Sequence, residues 1–418
     1  MASDQVAPIR PAPLRAVSTG LPTPLHECPS DLLDGWVMHA SALRHDLNTL
    51  LFPGQALMAY AGDDHTAGLA FAHGVPNRTW LSSATLMQDK RMRRDIVEEA
   101  GVPVPRARSF SLKRGASHAK VFAASIGYPV VVKPMLGEST VEVMPDIRDE
   151  EQLEQAIEYL RKVPTSREDF TTASYAFTQL LTPRSSSSTR TRGTYRFMVE
   201  ERVSGQYVRL LLAEGRLFSA VLLPHGPWRS NSAAAEVLHE IHPELREFAE
   251  EVWRSCPGLS VMSADVVVNN FTESTAVSRP VLVDTSERPW MHVQYLASPC
   301  CISELGDELF RSAAEAEGID LALPGSAPEV NVSFTWEGLS QVGENVRQAA
   351  AAAARTGIKF HVSSEDPVSG VVSGEMVGDP SRIALFNELV LEGSVLHAPV
   401  MAVQTRSNPG PGGSSFSR

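Results

Sequence analysis

The run Tyr128-Pro129-Val130-Val131-Val132-Lys133-Pro134, followed by Gly137-Glu138-Ser139, constrains this chain more than any other stretch. Consecutive β-branched residues favour a strand inside a sheet, so Lys133 at its end has a fixed position. Gly137 has no Cβ, which lets backbone amides approach an anion closely. A buried strand that delivers one cation to a glycine-bearing loop suits a polyphosphate. The plainer alternative is a lysine that solvates the end of a strand.

A chain of 418 residues, 43% of them hydrophobic, can bury a substantial core and is long enough for two or three lobes. The formal net charge of −12 argues against a broadly basic nucleic-acid-binding surface, so no nucleic acid is expected as partner. No run approaches the roughly 20 apolar residues a bilayer span needs, and the proline-rich segment from Met1 to Arg15 lacks the apolar centre of a secretory signal. The expectation is a cytoplasmic protein with no membrane association. Cys28, Cys256, Cys300 and Cys301 lack the paired spacing of a zinc site; Cys256 continues the helical stripe of Leu245, Phe248, Ala249 and Val252 and reads as core.

Prolines at 8, 11, 13, 22, 24 and 29 predict an irregular lead-in over residues 1–50. Ala56–Ala61 reads as a strand and Thr66–His73 as a helix stopped by Gly74, giving one βα unit of a small parallel sheet in a lobe over 51–86. Asp149 should cap a helix with Leu153, Ala156, Ile157 and Leu160 on one face. Residues 182–193, rich in serine and arginine, read either as a solvated loop or as a lid over an anionic substrate. Pro243–Cys256 is an amphipathic helix, and Val261–Val268 with Arg279–Asp284 form a hairpin of two strands. Further on, Leu339–Thr356 should be a helix ended by Gly357, and Asp379-Pro380 should open another that runs through Leu391. Residues 298–405 make a C-terminal mixed α/β extension, and 406–418 a flexible tail.

Four segments occur in an informative order. Gln88-Asp89-Lys90 opens a helical stretch that ends Gly101-Val102-Pro103-Val104-Pro105; the Lys133 strand follows; then come Phe197-Met198-Val199-Glu200-Glu201-Arg202-Val203-Ser204-Gly205 and Val281-Leu282-Val283-Asp284-Thr285-Ser286-Glu287-Arg288-Pro289. In this order the chain resembles the ATP-grasp superfamily over residues 87–297, about half its length. The resemblance implies an α/β (α+β) ATP-grasp fold, two α+β subdomains clasping ATP, flanked by the short N-terminal βα lobe and the C-terminal extension.

The same resemblance assigns roles. Lys90 and Lys133 match the superfamily's two phosphate-contacting lysines, with Gly137 and Ser139 in the phosphate loop. Glu200 matches the hinge acid that accepts from the adenine amino group, with backbone groups of Glu201 and Val203 beside it. Tyr207 stands where many relatives carry the ribose-binding acid; a phenol there donates one hydrogen bond. Asp265 and Asp284 match the Mg²⁺ ligands, with Ser286 in place of an asparagine as a weaker third. Arg288 matches the arginine that holds the reacting carboxylate or developing oxyanion. An arginine that other relatives carry two residues before the first metal acid is Ser263 here, which leaves Arg209 and Arg229 as supplementary substrate-binding candidates or as ordinary surface ion pairs. His225 and His292 are weak candidates for a general base.

Read this way, the chain is an ATP- and Mg²⁺-dependent ligase that activates a carboxylate as an acyl phosphate and joins it to an amine, an amino acid or peptide, releasing ADP and phosphate. Its catalytic residues would be Arg288 and Lys133. It is similar in architecture to stand-alone peptide ligases of peptide-antibiotic pathways, including the pheganomycin type. The alternatives are an ATP-grasp enzyme with another nucleophile, thioester-forming or carboxylating, and a catalytically inactive ATP-binding scaffold. Paired subunits among relatives leave a homodimer open.

Overall fold

The computed structural model describes residues 17–18, 27–28, 32–65, 67–136, 143–162, 196–224, 226, 234–321, 323–324 and 328–408. The chain is mixed α/β with antiparallel sheets. Among the described residues, Thr79–Glu287 form one compact unit, and those of Leu14–Arg78 and Arg288–Arg418 form another.

The first unit contains two α+β halves. In one, a four-stranded sheet runs Ala107–Ser111, Arg196–Glu201, Val130–Pro134, Met144–Ile147, every pair antiparallel. Helices Ala116–Ile126 and Glu150–Arg161 cover it, and their Ala119, Ala123, Leu153 and Ile157 share a core with Val130, Val132, Phe197 and Val199. The second helix starts as its sequence demands: the Asp149 carboxylate accepts from the Gln152 N–H at 2.8 Å, and Leu153, Ala156, Ile157 and Leu160 are buried.

In the other half a five-stranded antiparallel sheet runs Ala235–Glu236, Arg216–Leu223, Gln206–Ala213, Val261–Val268, Val281–Ser286. Helix Pro243–Ser255 lays Leu245, Phe248, Ala249 and Val252 on one face of it, joined there by Cys256. Even-numbered residues of the central strands, Val208, Leu210, Leu212, Met262, Ala264 and Val266, belong to that apolar core. Alternation along a strand therefore sends Tyr207, Arg209, Ser263 and Asp265 to the opposite face. The linear pattern of such a strand is uninformative because both faces are covered: all eight residues of Val261–Val268 are buried.

The second unit is built on an eight-stranded antiparallel sheet, ordered Lys359–Asp366, Val371–Gly378, Val330–Glu337, Ala402–Ser407, Asn48–Phe52, Ala56–Tyr60, Gly68–Ala72, Val75–Pro76. Segments expected as separate lobes, 51–86 and 298–405, share this sheet, because Ala402–Ser407 pairs with Asn48–Phe52. Helices Leu33–Arg44, Ile302–Ala316 and Pro380–Leu391 pack together in the same unit.

Two local expectations are corrected here. Leu33–Arg44 is a helix inside the stretch where prolines predicted irregular chain; the last of those prolines is Pro29, and Leu33 to Leu43 are all buried, as a helix enclosed on every side requires. Gly68–Ala72 is a strand, antiparallel to Ala56–Tyr60, where a helix and a parallel βα unit were expected. Its buried residues are Leu69 and Phe71, a period of two that a five-residue window does not distinguish from one helical turn. Thr66 lies outside the described residues.

One core residue gives a pH-dependent prediction. Glu388 lies on Pro380–Leu391, 2% exposed, and burial, with a smaller contribution from Glu392, pushes its carboxyl up from 4.5 to about 8. Between those two values the unfolded chain releases this proton and the folded chain keeps it, so stability falls as pH rises through that window. Glu388→Gln removes the penalty. Denaturant midpoints should rise near neutral pH, by at most about 3 kcal/mol, and the gain should vanish below pH 4.5, where both states hold the proton. A gain equal at acid and neutral pH would disprove the linkage.

Candidate functional site

The motif residues of the first unit converge on two narrow clefts that share Lys133, Glu200, Val283 and Asp284. The first is also lined by Lys90, Arg93 and Arg94, the second by Glu201, Arg202, Val203 and Tyr207. Each participant is set in place by a traceable piece of local structure.

Lys90 opens helix Lys90–Glu99. The Asp89 side chain caps it, accepting from the Arg91 and Met92 N–H groups at 2.9 and 3.2 Å. The Lys90 N–H donates to the Met135 carbonyl at 2.9 Å, and Asp89 bridges to Leu136, so this helix start is pinned to the chain leaving the Lys133 strand. Lys90, Arg93 and Val97, at spacings of three and four, are the buried face of the helix.

Lys133 is 5% exposed, and its ammonium lies 2.9 Å from Glu200 Oε1 and donates to the Val283 carbonyl at 3.0 Å. Met198 pairs with Lys133, which places Glu200 two residues further along the neighbouring strand on the same face. Burial raises the Glu200 carboxyl, and Lys133 pulls it back down.

A β-bulge delivers Asp284. Asp265 pairs with Asp284 but Val266 pairs with Leu282, so Val283 is one residue too many. Leu282 faces the apolar core; simple alternation would turn Asp284 to the same side, and the extra residue turns it to the side of Asp265 instead. The carbonyl of that extra residue is the one Lys133 bonds.

Both acids are already matched by arginines. Arg209 and Asp265 are cross-strand neighbours bonded bidentately, Nε to Oδ1 at 2.6 Å and Nη2 to Oδ2 at 2.7 Å, with side chains 1% and 3% exposed. Burial disfavours the Arg209 cation, Asp265 outweighs that, and the guanidinium ends above its ordinary range. Tyr207, on the same strand, is raised by burial and then by Asp265. Asp284 Oδ1 is bonded by Arg93 Nη2 and by the Thr285 N–H, the latter at 3.0 Å; Arg93 also donates to the Met87 carbonyl at 3.1 Å.

Asp265 and Asp284, expected with Ser286 as a metal-binding set, are each engaged by an arginine. Each carboxylate is bonded to a guanidinium, so a divalent ion there would share the acid's oxygens with a buried cation. Ser286 is fully buried and pairs with Ser263. Among the described residues no three His, Cys, Asp or Glu side chains gather in one place. Glu287 accepts from Gln88 at 3.4 Å.

The remaining expected residues have other surroundings. Glu201, 2.8 Å from Arg106 Nε, has its carboxyl lowered by that bond and stands partly exposed. Arg288 belongs to the second unit, where it is 2% exposed, 3.7 Å from Asp34 and 4.1 Å over the Trp290 ring. His73 of the same unit is held neutral, lowered to about 3 by burial and then by Arg288. Gly137, Ser139, His225, Arg229 and the segment 182–193 lie outside the described residues. Sequence reasoning missed Arg93, although its spacing from Lys90 and Val97 marks it as inward-facing.

The first unit thus defines a class: paired antiparallel sheets with helices, and a buried cluster of alternating cations and carboxylates between them. No family model and no curated protein matches the chain. Among solved structures it is similar to a bifunctional glutathione synthetase from Pasteurella multocida, at 13% identity over 63% of this chain and 41% of that one, TM-score 0.37. It is similar also to D-alanine–D-alanine ligase from Bacillus anthracis, at 12% identity over 57% and 71%, TM-score 0.40. A third is the ATP-grasp ligase PsnB complexed with precursor peptide PsnA2 and AMPPNP, at 14% identity over 56% and 59%, TM-score 0.35. The chain spans less than half the length of the glutathione synthetase. No helix among the described residues is long and apolar enough to cross a membrane.

Proposed function

We propose that this chain is an ATP-grasp-type carboxylate–amine ligase, with ATP seated in the first unit between its two sheets. One observation carries the reading: Lys133, Glu200, Glu201, Val203, Tyr207 and Asp284, drawn from three stretches far apart in sequence, line a single cleft, and Lys90 joins Lys133 in the adjoining one. In the reaction a substrate carboxylate oxygen attacks the γ-phosphorus, the bond to the β-phosphate oxygen breaks, and ADP leaves. The amine then attacks the acyl phosphate, loses a proton and expels phosphate. Lys90 and Lys133 offset charge on the transferred group, and the hinge around Glu200–Val203 receives the base. Lys133 is held by two fixed acceptors before substrate arrives, so little reorganisation is needed when charge develops.

The purified chain, incubated with ATP and paired panels of amino-acid or peptide carboxylates and amines, should release ADP and phosphate only when both partners are present, with the amide detected by mass spectrometry. The arginine-bonded acids favour one second reading, a nucleotide-binding scaffold. ATP binding without ADP release across the panel would select it.

A further inference from the structure

We infer that Arg93 and Arg209 stand in the place of protein-held metal, so that this cleft binds a nucleotide's polyphosphate without a divalent ion coordinated by the chain. The inference rests on the nucleotide reading of the site and goes beyond it.

Asp265 has both oxygens in a fork-to-fork bond with Arg209 at 2.6 and 2.7 Å, in a place where neither side chain sees solvent. A metal on the remaining lone pairs of this carboxylate would lie against the Arg209 guanidinium, and one that displaced Arg209 would leave that guanidinium buried and unpaired. Arginine cannot deprotonate to relieve that cost, and its burial here makes the cost large. Asp265 is therefore the counter-ion that keeps Arg209 in the core. Asp284 is bonded to Arg93 Nη2, both side chains under a tenth exposed, and also to its own strand's Thr285 N–H. The two acids face each other across the bulged pair, so the geometry that would bridge a metal is present, with arginines filling it.

The charge balance of the cleft points the same way. Lys90, Arg93, Arg94 and Lys133 line it against Glu200 and Asp284, a surplus of two positive charges by count. Such a surplus attracts a triphosphate directly. Arg93 lies where its planar fork can exchange part of its bond to Asp284 for phosphate oxygens, a geometry a point-like metal ion does not share.

The test is titration calorimetry of ATP into the full chain, once in excess MgCl₂ and once in excess EDTA. Affinities in the two buffers should agree within about threefold, since no protein ligand for the ion is lost. Arg93→Met should weaken ATP at least about tenfold in EDTA and, by releasing Asp284, create a preference for MgCl₂ that the parent lacks. Should Arg93→Met fail to fold, Mn²⁺ titrated into the parent without nucleotide and followed by electron paramagnetic resonance gives a second readout; no saturable Mn²⁺ site is expected. ATP bound only with MgCl₂, or a Mn²⁺ site abolished by Asp265→Asn, would overturn the inference and leave the nucleotide reading standing. No ATP binding in either buffer would overturn both.

Discussion

Lys133→Ala should abolish ATP binding and, separately, cost the fold about 3–5 kcal/mol, because it leaves the Glu200 carboxylate buried without its cation. The two losses have different origins and can be separated. The ammonium sits 2.9 Å from Glu200 and 3.0 Å from the Val283 carbonyl, so alanine removes the cation paired with that acid. Lys133→Met combined with Glu200→Gln keeps comparable volume and removes both charges, so it should recover most of the stability in urea denaturation. It should not recover ATP binding, since the charge that the proposed function sets against the phosphates is still gone. A folded double variant that binds ATP with near-parental affinity would take Lys133 out of the site. Single-variant instability alone would not establish the functional role, which is why the neutral pair is the decisive protein to make.

What the sequence disclosed and what it withheld follow a physical division. Helices marked by a cap, a proline in the first turn or an apolar stripe were readable because those marks are local: Asp149 with Leu153 to Leu160, Pro243 to Ser255, and Asp379-Pro380 through Leu391 occupy the expected positions. The strand that carries Lys133 was readable because three valines in a row have few other uses. The pairing of Ala402–Ser407 with Asn48–Phe52 was not, since nothing local marks which strand will find which across some 350 intervening residues. The orientation of Asp284 was a matter of one extra residue: a bulge reverses the face that alternation assigns, and Val283 carries no compositional mark of being that residue. The candidate metal acids pair across neighbouring strands as expected, but the arginine bonded to Asp265 was not foreseen, because Arg209 reads along the chain as one more strand residue. Its fork meets Asp265 only through the register between Gln206–Ala213 and Val261–Val268. Arg93 was legible in principle, three residues beyond Lys90 on a helix whose Val97 also turns inward.

Arg209→Met should be among the most destabilising single changes in the first unit, costing about 3–5 kcal/mol near neutral pH. Methionine fills much of the space but leaves both Asp265 oxygens without their bidentate donor, on a strand whose every residue is buried. Adding Asp265→Leu should restore the denaturant midpoint, because no buried carboxylate is then left without its partner, and the coupling between the two changes measures the pair. A variant within about 1 kcal/mol of the parent at neutral pH would mean that the ion pair is dispensable. Asp265 would then be free to take a metal, and the charge arrangement that separates this cleft from a metal site would lose its foundation.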